Sequence, residues 1–217
     1  MDVSAVVLSF NSKRYIRTCV ESLVSSFEAC GLAGEVLVVE NGSHDGSVAV
    51  LEALQTEFAE ALTVFYQAEN TGTTRSRNLA LRSAKGKAIL ILDSDAYMNP
   101  GALRGLLEHL KDHERVGLVA PRLTYPDGRF QLSVDAFPTV LRKLKRFLAL
   151  REMERQAIAV GAGTVDYAIS ACWLLKADTI AATGLLDERI FYSPEDVDYC
   201  IRIWRAGWQV HYLPSVS

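Results

Sequence analysis

The sequence predicts an α/β fold, a central and mostly parallel sheet with helices on both faces. Three observations predict it. Short apolar runs recur at 3–9, 36–39, 62–66, 88–92 and 116–120, and apolar, β-branched runs of this length read as strands buried on both faces. Segments with helical spacing of apolar residues separate them, the strand–helix alternation of a parallel sheet. Polar clusters follow three of the runs: Ser9-Phe10-Asn11, Glu40-Asn41-Gly42-Ser43 and Asp93-Ser94-Asp95. In an open sheet of this kind, ligands bind outside the carboxyl ends of the strands, so the three clusters fall on one functional edge.

The elements follow in order. After the first strand, Ser12 is placed to cap a helix running to about Ala29, with Tyr15, Cys19, Leu23 and Phe27 at helical spacing. The second strand leads to a helix over about Gly46 to Ala59, carrying Val50, Leu51 and Leu54. The third leads to a helix from Arg75 to Lys85, and the fourth ends at Asp93. Asn99-Pro100 has the pattern of N-cap and first helical residue for a helix to about His109. Tyr125-Pro126-Asp127-Gly128 is a turn, expected in a hairpin. The spacing predicts a basic helix over 138–156, a strand over 165–175, a helix over 193–206 closed by Gly207, and a last strand over 208–213. No linker rich in Gly, Ser or Pro divides the chain, so a single domain over 1–217 is expected.

Composition narrows the function. The 217 residues can bury a sizeable core. A formal net charge of −3 argues against a general nucleic-acid binder. Cys19, Cys30, Cys172 and Cys200 are scattered, with no metal or redox spacing, and read as free thiols of a reducing compartment. No signal-peptide core opens the chain, and no apolar stretch approaches the ~20 residues of a membrane span. A cytoplasmic domain is expected. The helix expected over 138–156 interleaves Arg142, Lys143, Lys145, Arg146, Arg151 and Arg155 with Leu141, Leu144 and Phe147. Such a helix can lie on an anionic membrane surface, or be an ordinary surface helix with its apolar stripe on the core.

Asp93 and Asp95 carry the sharpest chemistry. At the end of an extended segment, residues two apart point the same way. Two hard oxygen ligands there suit Mg²⁺ or Mn²⁺, with a diphosphate completing the shell; the same triplet also suits a strand end entering a polar turn. Arg75 and Arg77 stand at an expected helix start, where backbone N–H groups favour anions and an arginine can reach a phosphate. Ser193 as N-cap, Pro194 behind it, and Glu195, Asp196 and Asp198 in the first turn make a well-formed helix start.

The ordered set of motifs resembles glycosyltransferase family 2, with the GT-A fold. It comprises Val6-Val7-Leu8-Ser9-Phe10-Asn11, then 38–47 from Val38 to Ser47, Asn70-Thr71-Gly72, Arg77-Asn78-Leu79-Ala80, Leu92-Asp93-Ser94-Asp95, Leu185-Leu186-Asp187-Glu188, Glu195-Asp196-Val197-Asp198 and Ala206-Gly207-Trp208. Phe137-Pro138-Thr139, Val165-Asp166-Tyr167 and Phe191-Tyr192 resemble the bacterial rhamnosyltransferase-like branch. The resemblance implies a nucleotide-sugar-binding half over 1–120 and an acceptor-binding half over 121–217. It implies an inverting, metal-dependent transfer of a sugar, from a UDP- or dTDP-linked donor such as a rhamnose donor, to a glycan or lipid-linked acceptor in cell-surface polysaccharide synthesis. Asp196 would be the base, with Glu195 beside the acceptor. Ser9, Phe10, Asn11, Glu40, Asn41, Arg77, Asp93 and Ser94 would meet the nucleotide sugar, and Asp95, with Asp93, would hold Mg²⁺ or Mn²⁺.

Two departures stand out. Most members carry Asp at the position of Glu40, which is expected to face the nucleobase. Members similar to this chain also continue past the position of Ser217 with a histidine that can touch the metal, so a truncated chain is expected. Two alternatives remain beside this reading. A sugar-phosphate nucleotidyltransferase would show a Gly-rich, basic segment after the first strand, where this chain has Ser9-Phe10-Asn11-Ser12. An inactive nucleotide-sugar-binding scaffold is opposed by the intact acids at 93, 95 and 196.

Overall fold

A computed structural model of the chain describes residues 1–137 and 161–217; the basic helix expected over 138–156 lies outside them. Parallel strands β1 (Val3–Ser9), β2 (Gly34–Asn41), β3 (Leu62–Gln67) and β4 (Ala88–Asp93) alternate with helices α1 (Ile16–Cys30), α2 (Ser47–Glu57) and α3 (Thr73–Leu81). Helix α4 (Pro100–Asp112) leads to β5 (Val116–Pro121), followed by the short strands β6 (Leu123–Thr124), β7 (Phe130–Gln131), β8 (Val134–Asp135), β9 (Gly163–Thr164) and β10 (Tyr167–Ala168). Strand β11 (Cys172–Lys176), helices α5 (Ala177–Thr183) and α6 (Glu195–Arg205), and β12 (Gln209–Leu213) complete the described chain.

The main sheet runs β3-β2-β1-β4-β11-β5-β12-β9. Its first half is parallel as expected. The later strand β11 enters between β4 and β5, antiparallel to both, and β12 returns parallel to β5. Alternate residues of the central strands face different cores. Val3, Ala5, Val7, Leu90 and Leu92 pack with α1, α2 and α4, while Val6, Leu37, Val39, Ile89 and Ile91 pack with α3 and α6. Burial on both faces explains why these strands read as unbroken apolar runs.

Three local expectations are corrected. Ser12 does not cap α1: its hydroxyl pairs with the Ser9 hydroxyl at 2.7 Å, and the helix begins at Ile16. Ser193 does not cap α6, whose N-cap is Pro194 with no side-chain acceptor. The strand expected over 165–175 divides into β10 and β11, because Ser170 turns inward to polar partners described below. Other signals hold. Asn99 caps α4 by accepting the Ala102 amide at 2.7 Å. The hairpin turn lies between β6 and β7, and Gly207, at φ 84°, ends α6.

One satellite feature sets a pH response. His109 and His113 stack at the end of α4 with ring centroids 4.1 Å apart, and His109 Nε2 lies 2.9 Å from Nδ1 of His211 on β12. Burial, then the neighbouring imidazoles, push His211 down to about 4, and burial lowers His109 as well. The unfolded chain therefore binds these protons first. Stability is full above the ordinary imidazole range and is lost as pH falls toward about 4. An NMR titration should place His211 near 4, and His211→Gln should lessen the loss of melting temperature across that interval. A His211 that titrates like a solvated imidazole would contradict this.

Candidate active site

The carboxyl ends of β1 and β4, the turn before β11 and the start of α6 enclose a depression of about 450 Å³. Its framework is one side chain. Arg77, buried on α3, donates to Asp93 Oδ1 at 2.6 Å, to Ser170 Oγ at 2.8 Å, and to Glu195 Oε1 at 3.4 Å. Ser170 donates in turn to Glu195 Oε1 at 2.9 Å. The guanidinium fork satisfies two carboxylates and a hydroxyl at once. It ties together positions separated by 16, 93 and 118 residues.

Helix α3 is fixed so that Arg77 can do this. Gly72, at φ 86°, opens the helix against the 190–191 turn, where an added Cβ would lie 2.6 Å from the Phe191 carbonyl oxygen. The Thr73 amide donates to that oxygen at 2.7 Å, and the Thr74 hydroxyl donates to the Ile190 carbonyl at 2.6 Å. Asn78 exchanges hydrogen bonds with Leu186 and donates to Glu188 at 3.0 Å, which locks the 77–80 and 185–188 motifs together.

The depression gathers Phe10, Asn11, Arg77, Asp93, Ser94, Asp95, Glu195 and Asp196 from the expected set. Asp93 and Asp95 meet there through a turn, closed by the Ala96 amide on the Asp93 carbonyl at 3.0 Å, and not through strand alternation. Ser9, Glu40 and Asn41 do not line it. Ser9 holds Ser12. Glu40 is buried and accepts the amides of Gly42 and Ser43 at 3.1 and 2.8 Å. Asn41 bonds Asn70 and the Thr71 amide, both at 2.9 Å. Asn11, Ser12 and Lys13 are laced through their amides to Ser43, Ser47 and Asp45. Arg75 is exposed and outside the lining.

Sequence reasoning missed Ser170, Tyr15, Thr73 and Tyr192, which also line the depression. The signal for Ser170 was a lone hydroxyl interrupting an apolar run. A second depression of about 540 Å³ lies on the other side of Asp95 and shares Tyr15, Asp93, Asp95 and Ala171 with the first.

Electrostatics set what the site can hold. Its lining carries Asp93, Asp95, Glu195 and Asp196 against one cation, Arg77, a formal −3 when all are ionised. Asp93 keeps 41% of its side chain in contact with solvent. Burial nevertheless pushes its carboxyl above the usual range, Arg77 pulls it down, and Asp95 and Glu195 add repulsion. Burial also raises Asp196, against the bond from the Val197 amide. Asp95 is exposed at the mouth. Among the described residues no three His, Cys, Asp or Glu form a ready-made metal cage. Asp95 with the free oxygen of Asp93 fits a hard divalent cation whose remaining ligands come from a ligand and water. An anionic ligand would need such a cation to enter so negative a depression.

Comparisons place this geometry among known proteins. The chain is 31% identical over 216 residues to a pre-mycofactocin glycosyltransferase of Mycobacterium tuberculosis, covering 98% of this chain and 41% of that protein. It is 25% identical over 200 residues to an N-acetylglucosaminyl-diphospho-decaprenol L-rhamnosyltransferase of the same species, covering 84% and 64%. The chain thus spans less than two thirds of these relatives. Among solved structures it is similar to S. aureus TarS 1-349 in complex with UDP, with a TM-score of 0.71, 20% identity, and coverage of 100% of this chain and 59% of that one. It is also similar to a Pyrobaculum calidifontis mannosyltransferase in complex with GDP-Man and Mn²⁺, with a TM-score of 0.72, 19% identity, and coverage of 99% and 55%. These likenesses show the GT-A fold. The family model described as glycosyl transferase family 2 matches residues 4–178, and the chain belongs to that family.

Proposed function

We propose that the chain carries out metal-dependent, inverting transfer of a sugar from a nucleotide-diphosphate donor to an acceptor hydroxyl. The observation that carries the reading is the Arg77 hub, which holds Asp93 and Glu195 around the depression that also receives Asp95 and Asp196. In this reading Phe10 and Asn11 meet the nucleoside, while Glu40 and Asn41 shape the loop behind them. Asp95, with Asp93, would hold Mg²⁺ or Mn²⁺. When bound, the ion offsets the charge that grows on the departing diphosphate.

Asp196 takes the proton from the acceptor hydroxyl. A carboxylate raised by burial is a stronger base than an ordinary one, which suits the role. Glu195, held by Ser170 and Arg77, positions the acceptor side. With Asp93 and Glu195 engaged by Arg77 and Asp95 assigned to the cation, Asp196 is left as a single base in this reading, which supports one displacement, hence inversion. The similar structures hold UDP-GlcNAc in one case and GDP-Man with Mn²⁺ in the other. One relative is named a rhamnosyltransferase for a decaprenol-linked acceptor. We extend the reading to a UDP- or dTDP-linked donor and a glycan or lipid-linked acceptor. Among the described residues no helix is long and apolar enough to cross a membrane. Our reading places the enzyme in the cytoplasm, against the inner face of the membrane through the basic 138–156 segment.

Calorimetry of UDP binding should show a requirement for Mn²⁺ that EDTA removes and that Asp95→Ala abolishes; equal affinity in all conditions would eliminate the metal. Asp196→Asn should bind donor normally and lose roughly 10²–10⁴ in turnover. The wild-type rate should rise with pH through the raised Asp196 ionisation, and that limb should vanish in the variant. A variant that stays active with an unchanged profile would contradict the assignment. Arg77→Met leaves Asp93 and Glu195 without their cation and should cost about 3–5 kcal/mol of stability. An undiminished melting temperature would show that the hub is not structural.

A further inference from the structure

Phe191 and Tyr192 stand at the first depression without a task in the transfer itself. Tyr192, 74% exposed, is the most exposed large hydrophobic side chain among the described residues. It lines the depression together with Glu195 and Asp196, and no described residue of that lining lies beyond Asp196. The backbone that carries the ring is held. The Ile190 and Phe191 carbonyls accept from Thr74 and Thr73, and the Ile190 amide donates to the Asp187 carbonyl at 3.0 Å. The Phe191 ring lies over Gly72, where an added Cβ would come within 2.7 Å of it. A ligand that covers Tyr192 therefore does not have to order the turn beneath it.

Glu195 supplies the polar half. The residue is 6% exposed, and its Oε1 takes the bonds from Ser170 and Arg77. Its Oε2 has no hydrogen-bond partner among the described residues and, unlike the Arg77 Nε, is not shielded from solvent. Because the residue lines the depression, that oxygen is reached from there. Asp196 repeats the pattern: Oδ1 accepts the Val197 amide at 2.8 Å, and Oδ2 is open. Each carboxylate keeps one oxygen for a donor that the chain does not supply, and a ligand hydroxyl is such a donor. The excess of carboxylates in the lining repels an oxyanion. A ligand with a C–H face for a tyrosine ring and adjacent hydroxyls for two neighbouring carboxylates is a pyranose.

We propose that Tyr192 and Glu195 form the acceptor subsite, and that it takes an uncharged pyranoside with two adjacent hydroxyls. The C–H face of the sugar lies on the Tyr192 ring, one hydroxyl donates to Glu195 Oε2, and its neighbour gives its proton to Asp196. This rests on reading Asp196 as the base, and adds the class of acceptor and the side chain that selects it. In the transfer the deprotonated oxygen bonds to the anomeric carbon of the donor. The bond from that carbon to the diphosphate breaks, and the diphosphate leaves with its electron pair.

The test titrates the ¹⁵N-labelled chain with the methyl glycosides of glucose, galactose, mannose and N-acetylglucosamine, with UDP and Mn²⁺ present and again with EDTA alone. At least one glycoside should bind, with amide shifts centred on 192–196 and upfield shifts of its own C–H protons from the ring. Tyr192→Ala should remove those upfield shifts and weaken binding roughly tenfold, and Tyr192→Phe should restore both. Among the monodeoxy forms of the glycoside that binds, two that lack neighbouring hydroxyls should each lose roughly ten- to a hundredfold. Binding by none of the four, shifts centred elsewhere, or equal affinity in wild type and Tyr192→Ala would overturn the subsite. So would a methyl glucuronide that binds more tightly than every uncharged glycoside. Each of these results leaves the donor reading standing if UDP still binds with Mn²⁺. Failure of UDP to bind while a glycoside still shifts 192–196 would instead sink the donor reading alone.

Discussion

Everything at the functional edge depends on a guanidinium withdrawn from water. Arg77 is buried between Asp93 at the end of β4, Ser170 before β11 and Glu195 at the start of α6. Removing a cation from water is costly, and nearby opposite charge offsets it; both Nη groups of Arg77 find acceptors, while its buried Nε has none among the described residues. That requirement fixes three distant pieces of chain at one point. It also explains why β11 enters the sheet beside β4: the Asp93 amide donates to the Ala171 carbonyl at 3.0 Å, so the Ser170 turn and the end of β4 form one unit.

Around this hub the chain uses its polar motifs to hold loops as much as to face a ligand. The β1–α1 and β2–α2 loops are stitched together by Asn11, Ser12, Lys13, Ser43, Asp45 and Ser47. Glu40 folds back on the amides of its own loop. Of the four acids in the lining, Asp95 and Asp196 are the two that Arg77 does not hold. The excess of negative charge in the lining then becomes a selection rule. A phosphorylated ligand that arrives without a cation would face repulsion from four carboxylates.

Much of this was legible in the sequence. The doubly buried strands announced themselves as apolar runs, Asn99-Pro100 announced α4, and Asp93-Ser94-Asp95 marked the sheet edge where the depression lies. Pattern reading stopped where a residue's partner is far along the chain. Ser170 looked like a flaw in a strand because Arg77 and Glu195 lie 93 and 25 residues away. Ser12 and Ser193 have the chemistry of helix caps, but tertiary partners and backbone geometry at those points prevail over local propensity. Arg77 at an expected helix start suggested an anion anchor; its surroundings make it an internal cross-link, which only the fold reveals. Polar loop residues such as Asn41 carry the same signature whether they meet a ligand or a neighbouring loop.

The central claim is that the negative depression receives a nucleotide diphosphate through a cation at Asp95. Paramagnetic broadening by Mn²⁺ in the presence of UDP tests it most directly. The expected result is broadening centred on Asp95 and its turn, reaching Asp93 and Asn11, weak without UDP, and sparing the His109–His211 cluster. Broadening that is centred elsewhere, or that is indifferent to the nucleotide, would contradict the account.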